Sequence, residues 1–108
     1  MNNYQRLAAR TIRHEMNRFD MRHHALHGMS SEVGEIHGIY QKIYQGHTAD
    51  EEHLKKEVGD LLWFIAEFCT SYGWDLGDVA QMNIDKLIER YPHGFEEERS
   101  LNRKAGDV

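Results

Sequence analysis

The 108-residue chain predicts an all-α fold, an antiparallel bundle of about four helices. Apolar residues recur at three- and four-residue spacing along most of the chain, and no segment alternates as a strand would. The breaks between these stripes are short, which makes consecutive helices antiparallel neighbours. Only one proline occurs, Pro92, and it stands after the last stripe rather than inside one.

The first helix is read from Asn2 to about Arg18, with Tyr4, Leu7, Ala8 and Ile12 on its apolar side. Phe19 to His24 reads as irregular. The second helix runs from about Ala25 to Gln45, where Leu26, Met29, Val33, Ile36, Ile39 and Ile43 keep a 3.6-residue period. Gly46-His47-Thr48 breaks that pattern, and Thr48 or Asp50 can cap the next helix. The third helix extends to about Tyr72, with Leu54, Val58, Leu61, Ile65 and Phe68 on its stripe. Gly73 serves as its C-cap and Asp75 as the following N-cap. The fourth helix runs from Leu76 to about Tyr91 and stops before Pro92. One domain over residues 1–108 is expected, with its core at about 3–92 and a charged tail over 93–108.

Composition narrows the class. A formal net charge of −5 disfavours a nucleic-acid polymer as partner. No apolar run approaches the roughly 20 residues of a membrane span. The polar N-terminus lacks a signal-peptide core. Cys69, within an apolar run, reads as a reduced core thiol. A soluble cytoplasmic protein without membrane contact is the expectation.

The feature that carries chemistry is a repeat. Glu32-Val33-Gly34-Glu35-Ile36 returns as Glu57-Val58-Gly59-Asp60-Leu61. Each copy places two carboxylates three residues apart, on one helix face. The copies are centred 25 residues apart, and their midpoint falls in the Gly46 break. An antiparallel hairpin would bring them to the same height. Helical phase sets Glu32 within the apolar stripe and Glu57 at its border, with Glu35 and Asp60 further round. Both pairs then lie at the edge of the core, where unpaired carboxylates are costly. Carboxylate oxygens suit a hard divalent cation such as Mg²⁺. Gly34 and Gly59, each unfavourable in a helix by about 1 kcal/mol relative to alanine, are read as allowing close approach of the two helices. The bland alternative is two solvated charged faces with incidental spacing.

On the fourth helix Asn83, Lys86 and Arg90 share one stripe. Two cations and an amide so aligned suit a polyphosphate, although basic residues near a helix C-terminus are also favoured by its dipole. His23, His24 and His27 have helical spacing, yet no Cys-x-x-Cys or His-Glu-x-x-His accompanies them, which disfavours zinc. A surface or capping cluster and a substrate-facing role remain open for these three. Trp63 and Trp74 read as packing residues before base-stacking platforms.

Glu32-x-x-Glu35 followed by Glu57-x-x-Asp60 resembles the split carboxylate motif of MazG-like nucleoside triphosphate pyrophosphohydrolases. The segment from Asn83 through Tyr91-Pro92-His93-Gly94-Phe95 resembles the stretch that follows in small single-domain members, and Leu61-Leu62-Trp63-Phe64 also fits. The resemblance spans about residues 24–103. It implies an all-α fold and Mg²⁺ dependence, with Mn²⁺ able to substitute. It implies hydrolysis of a (d)NTP to (d)NMP and pyrophosphate, for control or house-cleaning of the nucleotide pool. By the same resemblance Glu32, Glu35, Glu57 and Asp60 are metal ligands. Asn83, Lys86 and Arg90 contact the phosphates, with Tyr91 near them, and the protein is a homodimer or homotetramer. Many members carry a further glutamate before the first ligand; this chain has Ser31 there. For the catalytic step, Glu32 or Glu35 is the candidate to orient or deprotonate the attacking water.

Two other functions compete. A non-catalytic, metal-binding helical interaction module would use the carboxylates without turnover. A redox carboxylate bundle would need duplicated Glu-x-x-His motifs, and both pairs lack the histidine.

Overall fold

The computed structural model describes residues 3–94. The expected tail therefore lies, from Phe95 onward, outside the described residues, as does Asn2. Four helices follow in order: α1 (Asn3–Ala9), α2 (Arg18–Tyr44), α3 (Glu51–Tyr72) and α4 (Leu76–Arg90). The fold is all-α. The chain divides into two compact units, one to Leu76 and a second from Gly77.

In the first unit α2 and α3 form a hairpin, and α1 packs on α3. The connection is set by local chemistry. The Asp50 side chain accepts the His53 N–H at 3.1 Å and caps α3. At the other end Gly73 adopts φ 71°, the left-handed conformation that a glycine takes without strain. The Trp74 N–H then reaches the Cys69 carbonyl at 2.9 Å, closing the helix end.

Two boundaries differ from the sequence expectation. The first helix does not reach Arg18; it stops at Ala9. There the Thr11 hydroxyl donates to the Ala8 carbonyl at 2.7 Å and accepts the Trp63 indole N–H at 2.8 Å. These bonds hold a turn that buries Ile12. The segment Phe19 to His24 is not irregular but helical. Asn17 is the cap, its side chain accepting the Asp20 N–H at 2.8 Å, so α2 begins before Phe19.

The hairpin closes where side chains are small. Ala25 on α2 and Ala66 on α3 are 0% and 1% exposed. Gly28 leaves room for the Phe64 ring, which lies where a Cβ at that position would stand. Gln5 ties α1 to the end of α3: its amide donates to the Thr70 hydroxyl and the Trp74 carbonyl, at 3.2 and 2.8 Å. Its oxygen accepts the Leu76 N–H at 2.7 Å. Arg22 donates to the Ser71 carbonyl at 3.0 Å and stacks on Tyr72, with 3.7 Å to the ring centroid.

In the second unit α4 ends at Arg90, before Pro92 as the proline requires. Its Gln81 and Asp85 side chains pair at 2.9 Å one turn apart. Gly94, at φ 87°, closes a turn by donating its N–H to the Tyr91 carbonyl at 3.1 Å. No described helix is long and apolar enough to cross a membrane.

Candidate metal centre

The hairpin register brings the two carboxylate segments together. Glu32 and Glu35 project from α2 and Glu57 from α3, and one carboxylate oxygen from each lies within 4.8 Å of the others. Their settings differ. Glu57 is buried, Glu32 half-buried and Glu35 exposed. Asp60, also exposed, stands outside that group of three, but its charge reaches Glu35 and Tyr4 and helps raise the pKa of each. For Tyr4 burial is the larger cause.

Close packing of like charges leaves a clear electrostatic mark. The Glu35 carboxyl is pushed above the usual carboxylate range, chiefly because it shares a hydrogen bond with Glu57 and feels that residue's charge. The nearby His53 opposes the shift. His53 also contacts Glu57 directly, Nε2 to Oε1 at 3.3 Å across one helical turn. These contacts do not satisfy the site. One buried oxygen of Glu32 and one of Glu57 have no hydrogen-bond partner. Buried carboxylate oxygens are costly without compensation. Three converging carboxylates with two orphaned oxygens fit a hard divalent cation by charge and by donor type.

An open groove of about 460 Å³ adjoins Glu35, with Lys42, Gln41 and His53 among its walls. It gives the exposed side of the cluster access to solvent-borne ligands. The same wall contains Gly38, Ile39 and Gln45.

The glycines of the repeat do not act as expected. A Cβ built at Gly34 or Gly59 meets no atom within 4 Å, so neither mediates close approach of α2 and α3. That role belongs to Gly28, against Phe64. Sequence periodicity flagged the glycines within the repeat, but the helices touch along the line through Gly28 instead.

Asn83, Lys86 and Arg90 all lie on α4 and Tyr91 directly follows it, in the second unit. Lys86, Arg90 and Tyr91 are half-buried and Asn83 is exposed. Of the three histidines singled out, His23 and His27 stack at 5.9 Å between ring centroids, while His24 turns to Glu67. Trp63 hydrogen-bonds Thr11 and packs edge-on against Phe64, so it does serve the packing. Sequence inspection missed His53 and Glu67. His53 carried a usable signal, its i, i+4 spacing to Glu57; Glu67 carried none, since its partner is 43 residues away.

Comparison with known proteins agrees with this geometry. The MazG nucleotide pyrophosphohydrolase domain family model matches residues 20–95. The Gene 37 protein of Mycobacterium phage L5 is 28% identical over 81 residues, covering 70% of this chain and 71% of that protein. No solved structure matches.

Proposed function

The chain belongs to the MazG nucleotide pyrophosphohydrolase family, and on that premise we propose that it hydrolyses a (d)NTP to (d)NMP and pyrophosphate, dependent on Mg²⁺. The observation that carries this is the trio Glu32, Glu35 and Glu57, in which one buried oxygen of Glu32 and one of Glu57 have no hydrogen-bond partner.

Glu32 and Glu57 would hold the cation, and Asp60 would complete the acidic set. When bound, Mg²⁺, or Mn²⁺ in its place, supplies charge to offset the phosphate oxygens and acidifies water. Glu35 takes the proton from the attacking water. Its exposure gives it access to that water. Lys42, in the same groove, offers positive charge beside the acidic cluster, and His53 offers a ring nitrogen. Asn83, Lys86 and Arg90, with Tyr91, bind the phosphates and offset charge on the pyrophosphate leaving group.

Assembly into a homodimer or homotetramer is part of this reading. Among the described residues the buried apolar set is small: Ala8, Ile12, Ala25, Ala66 and Cys69. Large apolar side chains stay open along the helices, among them Tyr44 at 92%, Met82 at 70% and Ile88 at 58% exposure. The proposed setting is the cytoplasmic nucleotide pool, for its control or house-cleaning.

Incubating the purified protein with NTPs and dNTPs plus Mg²⁺ and resolving the products tests the reaction. Monophosphate plus pyrophosphate is expected. Diphosphate plus inorganic phosphate, or no turnover, would refute it.

A further inference from the structure

Further along α3 lies a second buried carboxylate that the metal centre does not use. Glu67 is 1% exposed, and both its oxygens contact His24 Nδ1, at 2.8 and 2.9 Å. The His24 side chain is 48% exposed. It also lines a cavity of about 360 Å³ with Arg13, Glu15, Met16 and Asp20.

The ring is firmly oriented. Trp63 meets it edge-on at 6.1 Å and Phe64 lies at 5.6 Å, centroid to centroid. With Nδ1 turned to Glu67, Nε2 remains as the ring's other hydrogen-bonding atom. Such an arrangement, a buried carboxylate orienting a half-open imidazole, fixes which nitrogen is offered to a ligand.

Its place along the hairpin matters. His24 faces Glu67, Gly28 faces Phe64, and Glu32 with Glu35 faces Glu57. These are successive rungs of one antiparallel seam. Residues 24 and 32 are separated by roughly 12 Å of helix. A nucleotide whose phosphates sit at the carboxylates extends its sugar and base over that scale.

Resting on the reading of the carboxylates as a triphosphate site, the geometry points to His24 as a specificity residue that hydrogen-bonds the base of the substrate through Nε2, with Glu67 as its positioning residue. With Nδ1 directed at Glu67, Nε2 is the atom that the ring offers to the polar edge of the base.

Histidine-ring ¹⁵N–¹H correlation spectra of the full chain with Mg²⁺ test this without needing turnover. The probes are AMP, CMP, UMP and inorganic pyrophosphate, and the His24→Gln spectrum assigns the signal. AMP, CMP or UMP should move His24 Nε2, and pyrophosphate should not. In steady-state assays His24→Ala should raise KM for the preferred triphosphate about tenfold while kcat changes far less. Glu67→Gln, which keeps the side-chain volume, should shift KM in the same direction. If no nucleotide moves His24 while wild-type protein still hydrolyses nucleotides, the inference falls and the metal-site reading stands. If nucleotides move His24 but none is hydrolysed, the inference stands and the hydrolase reading falls.

Discussion

Glu57 and Glu67 are buried carboxylates on the same helix, yet their surroundings leave them in opposite electrostatic conditions. Glu67 has both oxygens on one histidine from the facing helix. Glu57 stands among two other carboxylates, touches His53 at 3.3 Å, and keeps one buried oxygen without a partner. The Glu67 oxygens have their partner within the chain. One buried oxygen of Glu57 has none among the described residues. Burial alone therefore does not distinguish a structural acid from a ligand-binding one; what the buried oxygens face does.

The largest effect should come from Glu57→Gln. Loss of a cation ligand should lower Mg²⁺-dependent hydrolysis about a thousandfold, equivalent to roughly 4 kcal/mol. Mg²⁺ should no longer raise the Tm, while the metal-free variant should be at least as stable as wild type, because an uncompensated buried charge is gone. A large loss of stability without metal would erase the contrast with Glu67.

Glu67→Ala should act the other way round. It removes the acceptor of His24 and opens a cavity in the seam, lowering stability by about 2–4 kcal/mol in urea titrations with or without Mg²⁺. Gly28→Ala tests the middle rung. Its Cβ would displace the Phe64 ring, lowering stability by about 1–3 kcal/mol.

The pH dependence of the Glu67 end has a definite sign. Burial raises its carboxyl more than the contact with His24 lowers it, so the folded chain binds that proton more tightly than the unfolded one. This contribution to stability is fully present below the ordinary carboxylate value and is lost as pH rises through the raised folded value. Urea midpoints followed as pH rises from the ordinary carboxylate value should show that loss, and Glu67→Gln should remove it. The smallest effect belongs to Gly59→Ala, whose Cβ meets open space in the single chain. Thermal melts should show a gain of about 0.5–1 kcal/mol. A fall instead would mean that the space is occupied in the assembled protein.

Much of the hairpin was legible because its signals are local. The 3.6-residue stripes, Asp50 as cap and Gly73 as left-handed terminator depend on residues within a turn or two of each other. The approach of Glu32, Glu35 and Glu57 was legible too, since two pairs equidistant from a break must meet when the chain folds back. The first helix was overextended because nothing local forbids it beyond Ala9; the indole of Trp63, 52 residues away, holds the turn at Thr11. Asn17 was a local signal left unused, and it moved the start of α2.

The sequence by itself determined that the chain is helical, that one hairpin unites two acidic segments, and which residue types a cation would meet there. These follow from spacing, which a helix converts directly into direction. Tertiary structure alone decided which oxygens are buried without partners, that Gly28 rather than Gly34 or Gly59 meets a facing side chain closely, and that His24 is held by Glu67. Each depends on the rotation of one helix about its axis against the other. Periodicity leaves that angle open, and only the packing of Ala25, Ala66 and Phe64 fixes it.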